Sequence, residues 1–197
     1  MIVSGLFILF AYLLGSLSAA IIVCKLMGLP DPRSQGSRNP GTTNVLRIGG
    51  KKAAALTLLG DLIKGLIPVA LAKVFITEPW VLAAVAFAAI LGHLFPVFFK
   101  FQGGKGVATS FGVLLGLAWP AALAVLGVWL AVTAVFRISS LSALVAALTA
   151  PFAMLWFSPH IEFFWLGVLT SLVLLWTHRN NLQNLLAGKE SKIGERS

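Results

Sequence analysis

Residues 106–136 of this chain carry no charged side chain, and neither do residues 1–24, 79–99 and 138–161. Of the 197 residues, 58% are hydrophobic and only 11% charged, against about 25% charged in an ordinary soluble domain. A water-soluble chain of this size cannot cover its surface with so few charges. The sequence therefore reads as a polytopic membrane protein, an all-α helical bundle forming a single domain over residues 1–197, with no soluble domain attached and no repeat. The N-terminal stretch is expected to remain as an uncleaved span, because its first positive charge, Lys25, follows the apolar segment instead of preceding it.

A helix needs about 20 apolar residues to cross the hydrocarbon core. Candidate spans are 3–24, 53–76, 80–99, 107–118, 120–136, 141–157 and 163–177. The fourth is short, and Pro120 divides it from the fifth. A fused or re-entrant fourth segment would leave six spans and put both chain ends on one side. Charge separates the two readings. With seven crossings, one set of loops (25–52, 100–106, 137–140 and the tail from 178, including Arg196) holds thirteen of the fifteen Lys and Arg residues, all but Lys64 and Lys73 of the second span. The opposite connections carry Glu78, His160 and Glu162 but no Lys or Arg. The positive-inside rule then predicts seven spans, basic loops and tail in the cytoplasm and the N-terminus outside. The net charge of +9 is largely topological, with anionic headgroups and an anionic substrate as further uses. Nucleic acid is not expected, since no basic helix or aromatic-bearing sheet is available.

The basic loops carry more than charge. The segment "GLPDPRSQGSRNPGTTNVLRIGGKK" (28–52) combines hydroxyls, amides, guanidinium groups and glycines, an inventory suited to an anion that also bears hydroxyls. In "FQGGKGVATSFG" (101–112), glycines let backbone N–H groups approach a phosphate, and Lys105 adds a point charge. The loop is not a nucleotide P-loop, because Lys105 is followed by Gly106 and not by Ser or Thr. His93 lies near the same end of the third span, and His178 opens the tail. Asp61 and Lys64, three apart within the second span, read as a pair facing the bundle interior. "RISSLSAL" (137–144) adds three hydroxyls as helix caps or substrate contacts. The single cysteine, Cys24, excludes an intrachain disulfide and reads as a packed apolar residue. No His/Cys/Asp/Glu cluster has metal-ligand spacing, so no metal is expected. No histidine is followed five residues later by aspartate, so the H-x4-D pair of many soluble acyltransferases is absent. These residues suit a site where a phosphorylated polar substrate meets a lipid, in an enzyme joining the two or in a membrane transporter of a small organic phosphate.

Three motifs decide between these. "GSRNPGTTNVLR" (36–47), "GHLFPVFFKFQGGKGVATSFG" (92–112) and "HRNNLQNLLAGKESK" (178–192) resemble the acyl-phosphate-dependent glycerol-3-phosphate acyltransferase family (PlsY family) of bacterial inner membranes, over essentially the full chain. The resemblance implies transfer of a fatty acyl group from acyl phosphate to the 1-hydroxyl of glycerol 3-phosphate, giving lysophosphatidic acid and phosphate in phospholipid synthesis. It implies no cofactor, and membrane lipids and neighbouring lipid-synthesis enzymes as partners. Residue by residue, it assigns essential roles to Ser37, Arg47, His178 and Asn181, glycerol 3-phosphate binding to Gly103, Gly104 and Gly106 around Lys105, and a structural role to Glu190. Beside it, the residues themselves make Lys105 a catalytic cation, Asn39, Asn44, His93 and Ser142 candidate substrate contacts, and Asp61 and Lys64 a structural pair. The chain departs from the family pattern at Arg38 and Thr42, where small residues are usual, at Ser18, where many members have proline, and at Asn184, where arginine is usual.

Overall fold

The computed structural model describes residues 1–194. The described residues form helices α1 (Ile2–Gly15), α2 (Ala19–Leu26), α3 (Thr42–Phe75), α4 (Pro79–Leu94), α5 (Val107–Leu117), α6 (Trp119–Phe136), α7 (Ser139–Phe157), α8 (Ile161–Thr177) and α9 (Arg179–Leu186), with a 3-10 turn at Val97–Phe99 and no strand. They fall into two compact units, Met1–Leu117 and the residues from Ala118 onward. Arg196, expected on the basic side, lies outside the described residues.

All seven apolar segments are helical, but not all are simple rods. α3, α4 together with the 3-10 turn (Pro79–Phe99), α6 and α7 are long and apolar enough to cross a membrane. The first expected span is a bent pair, α1 and α2, broken by 42° at Ser16–Ser18, and α9 bends 65° away from α8 after His178. α5 has only 11 residues, or about 16 Å of helix against a hydrocarbon core of about 30 Å. The largest difference from expectation is at the start of α3. The polar segment 42–49, expected as loop, is helical and meets the apolar part at Gly50, whose φ of 74° and ψ of −173° break the helix. Only glycine adopts that conformation cheaply.

Packing follows membrane rules. The buried positions are rich in alanine, including Ala86, Ala89, Ala121, Ala122 and Ala147, while Val135, Phe152 and Trp156 point outward. Small residues let helices approach closely when apolar burial gives no net drive between them. In the first unit α5 runs parallel to α3, and a Cβ at Gly65 or Gly112 would overlap the backbone of Thr109 or Leu62 on the facing helix. α1 runs antiparallel to α3, with Phe7 stacked on Phe75 at 5.7 Å near one end and Lys64 bonded to Leu17 near the other.

Three of these irregularities leave carbonyls without helical partners that a side chain from a neighbouring helix meets. At the α1–α2 break, Lys64 Nζ donates to the Leu17 carbonyl at 2.9 Å. At the end of α5, Lys73 Nζ donates to Gly116 and Leu117 at 3.1 and 3.2 Å. These are the two lysines that the basic loops do not contain. In the second unit Pro151 interrupts α7. Having no N–H, it cannot bond the carbonyl four residues back, and the Ser171 hydroxyl of α8 donates to that Ala147 carbonyl at 2.5 Å.

Ser171→Ala is accordingly expected to lower unfolding stability by about 1 kcal/mol. The loss should be markedly smaller when Pro151→Ala restores the N–H, a coupling readable from a double-mutant cycle of denaturation in detergent.

Candidate active site

In the first unit the polar loop after α2 is folded around one amide. Asn44, buried on the first turn of α3, accepts from the Ser37 N–H through Oδ1 at 3.0 Å. Its Nδ2 donates to the carbonyls of Pro32 at 2.8 Å and Gln35 at 3.1 Å. One side chain thus fixes three loop residues and presents Ser37 at the exposed surface. Asn44 was expected as a substrate contact; both its amide hydrogens are committed to loop carbonyls, so its observed role is to shape the loop. Gly36 has φ of 55°, and a Cβ there would overlap Asn44 Oδ1, so both conformation and space demand glycine. Arg38, next to Ser37, takes φ of 57°. A small residue is usual in the family at this position, and the left-handed backbone gives the physical reason.

Arg33 anchors the loop's outer side. Its Nη2 meets Asp31 Oδ2 at 2.6 Å, and its Nη1 donates to the Phe99 carbonyl at 3.3 Å, reaching the second loop. The hydrogen bond from Arg33 holds the Asp31 carboxyl below the usual carboxylate range, and the same bond raises Arg33. Arg47 projects from the short helical segment before Gly50 and is exposed.

The glycine loop folds back over the end of α4. Gly104 N–H donates to the His93 carbonyl at 3.2 Å. A Cβ on Gly103 would overlap the carbonyls of His93 and Leu94, and one on Gly104 would overlap His93 Nε2 and press on the Pro40 carbonyl at 2.9 Å. Gly104 therefore joins both loops. Gly106 is buried with φ of 93°, and its carbonyl accepts from Ser110 N–H at 2.8 Å, opening α5. Lys105 is half-buried between these glycines. The N–H groups of the first turn of α5 thus follow directly on the loop, an arrangement that favours anions.

Behind the loop, Lys64 Nζ lies 2.8 Å and His93 Nδ1 3.5 Å from Asp61 Oδ1, all three side chains buried. The pairing of Asp61 with Lys64 is as expected from the sequence. Its extension to His93 was not legible, since sequence spacing relates residues on one helix but not on two.

The second unit contains its own polar cluster. Glu190 Oε1 accepts from Ser140 Oγ and from Asn181 Nδ2, both at 2.6 Å. The tail is further tied by Ile193 N–H to the Arg137 carbonyl at 2.7 Å. Glu190 thus holds Asn181, on α9, to the start of α7. His178 is buried at the α8–α9 bend, its Nδ1 2.9 Å from the Leu174 carbonyl. Of the hydroxyls in this region, Ser142 was expected to touch substrate. It is fully buried, donates to the Ile138 carbonyl at 2.9 Å and accepts from Thr133 at 2.8 Å. Ser140 is the hydroxyl that engages the motif residues.

The other departures from the family pattern are accommodated locally. Ser18 has φ of −77°, a value proline shares, and precedes α2 as its N-cap. Thr42 opens α3, and its hydroxyl is buried without a hydrogen-bond partner among the described residues, as expected where a smaller residue would suffice. Asn39 stays local, its Nδ2 against Gly41.

Within the first unit the arrangement supplies cations, backbone donors and a hydroxyl on two joined loops. It can hold a phosphate-bearing molecule and orient a second group beside it. Among the described residues no group of three or more His, Cys, Asp or Glu side chains could hold a metal ion.

Comparison with known proteins agrees with this reading. A family model described as glycerol-3-phosphate acyltransferase matches residues 5–188, running through both units. The glycerol-3-phosphate acyltransferase of Methylococcus capsulatus is 55% identical over 193 residues, covering 98% of this chain and 97% of its relative. That of Neisseria meningitidis serogroup C is 54% identical over 191 residues, covering 94% and 95%. The crystal structure of PlsY (YgiH), an integral membrane glycerol 3-phosphate acyltransferase, in its glycerol 3-phosphate form superposes with a TM-score of 0.92 at 37% identity, covering 97% of this chain and 96% of that one. Its lysophosphatidic acid form gives 0.90 at 36% identity, covering 97% and 95%. With two of the three family motifs on joined loops of the first unit, the third in the second unit, and relatives matched along almost their whole length, this chain belongs to the glycerol-3-phosphate acyltransferase family.

Proposed function

We propose that this protein transfers a fatty acyl group from acyl phosphate to the 1-hydroxyl of glycerol 3-phosphate. The hydroxyl oxygen attacks the acyl carbon, the bond from that carbon to the phosphate oxygen breaks, and the hydroxyl proton passes to the departing phosphate. The products are 1-acylglycerol 3-phosphate, a lysophosphatidic acid, and inorganic phosphate. The observation that carries this reading is the junction at Gly104, where the Ser37 loop and the Lys105 loop meet with no room for a side chain. Two phosphates must be held side by side against their repulsion, and these loops bring backbone donors and cations together for that purpose. The related enzyme's glycerol 3-phosphate and lysophosphatidic acid forms support the same substrate and product here.

An acyl phosphate is a mixed anhydride, already activated, so the reaction needs no cofactor and no covalent acyl-enzyme. The protein must bind two anions, orient one hydroxyl and exclude water. Ser37, Arg47 and Lys105 are assigned to the phosphates, with Asn39, Gly103 and Gly106 shaping the cradle. His178 and Asn181 are assigned to the same reaction, and Glu190 to holding Asn181. The basic loops face the cytoplasm of a bacterial inner membrane, with the N-terminus outside, as the charge distribution supports.

The donor is tested by offering purified protein palmitoyl phosphate, palmitoyl-CoA and palmitoyl acyl carrier protein with glycerol 3-phosphate. Turnover is expected with the phosphate alone, and thioester-dependent turnover would overturn the assignment. Ser37→Ala and Arg47→Ala should each lower kcat/KM by roughly 100-fold or more while the protein still inserts. Gly104→Ala, whose methyl meets His93 and Pro40, should chiefly raise KM for glycerol 3-phosphate. For sidedness, the single cysteine can be removed as Cys24→Ala. An impermeant maleimide should then label Ser158→Cys in intact spheroplasts and Ser191→Cys only after permeabilisation.

A further inference from the structure

The buried pair of Asp61 and Lys64 has a third member that ion pairing does not require. Lys64 balances the charge of Asp61 at 2.8 Å and also caps the Leu17 carbonyl. That is a complete structural account of Lys64. It leaves unexplained why the same carboxylate oxygen faces His93 Nδ1 at 3.5 Å, from a different helix, with both side chains more than nine-tenths buried. His93 Nδ1 has no hydrogen-bond partner of standard geometry among the described residues, and a buried ring nitrogen is not normally left so. Asp61 is the acceptor in reach. The opposite edge of the ring, Nε2, is turned to Gly104 at the junction of the two loops.

A neutral imidazole has one N–H and one lone pair, and whatever one nitrogen bonds decides what the other offers. A carboxylate can only accept, so Asp61 selects the proton onto Nδ1. That leaves Nε2 as an acceptor beside the glycine loop. The Lys105 ammonium and the backbone N–H groups there are donors, suited to phosphate, whereas a bare Nε2 can receive the hydrogen of a hydroxyl.

We propose that Asp61 is a positioning residue that locks His93 with its proton on Nδ1, so that Nε2 accepts a hydrogen bond from the attacking hydroxyl of glycerol 3-phosphate. His93 aims the oxygen lone pair at the acyl carbon and gains no net proton; the proton leaves with the phosphate. This rests on the reaction proposed above.

Two measurements test it. In protein labelled with 15N-histidine, with the His93 signals assigned by comparison with His93→Gln, Nδ1 should be protonated and Nε2 bare; the reverse tautomer would overturn the proposal whatever the enzyme's activity. The second uses Asp61→Leu combined with Lys64→Met, which removes both charges and leaves no unpaired buried ion. Turnover is counted per folded molecule. The expected result is a fall in kcat of about 100-fold, KM for glycerol 3-phosphate changed by less than about threefold, and loss of the single His93 tautomer. An unchanged kcat would reduce Asp61 to half of a structural ion pair. Asp61→Glu, which keeps an acceptor, should recover at least about tenfold of the loss, and no recovery would count against positioning. Failure of the underlying reaction shows separately, as wild-type protein that turns over none of the donors.

Discussion

A carbonyl with no partner in hydrocarbon costs several kcal/mol, and this fold meets that cost with side chains at three interruptions: the break after α1, the end of α5 and the proline in α7. Each is served by one side chain from an adjacent helix, Lys64, Lys73 and Ser171. One of these interruptions lies on the helix that carries the glycine loop: α5 is short, and its last carbonyls, among apolar groups, are capped.

The cap at Leu17 and the site share a residue. Lys64 satisfies the broken first span, neutralises Asp61 and so frees that carboxylate's remaining capacity for His93. Stability and chemistry are therefore built on the same buried charges. Glu190 does comparable work in the second unit, where one carboxylate oxygen receives both Ser140 and Asn181.

How much of this was legible depended on which atoms carry the information. Apolar runs and loop charge marked the seven apolar segments that are helical, because hydropathy is a property of side chains. The break at Ser16–Ser18 escaped, since the residues on both sides are apolar and its serines barely register in hydropathy. The helix at 42–49 escaped for the opposite reason: its polar residues read as loop, although Pro40 and Gly41 just before Thr42 are start signals. The motifs located Ser37, Lys105 and the glycines, but chemistry alone could not separate Asn44, which shapes the loop, from a substrate contact. Nor could it separate Ser142, which is buried, from Ser140, which holds Glu190. Lys64 and Lys73 were visible as anomalies of charge. Their partners were invisible because backbone carbonyls are the same at every position.

The Lys73 cap also bears on how the chain is made. Lys73 leaves the ribosome 43 residues before Gly116, whose carbonyl it bonds. An 11-residue helix is too short to partition into a bilayer unaided. α5 therefore depends on α3 for its place: its glycine face lies against that helix, and its last carbonyls end at an ammonium α3 supplies. The donor of that cap is synthesised before the acceptor it completes.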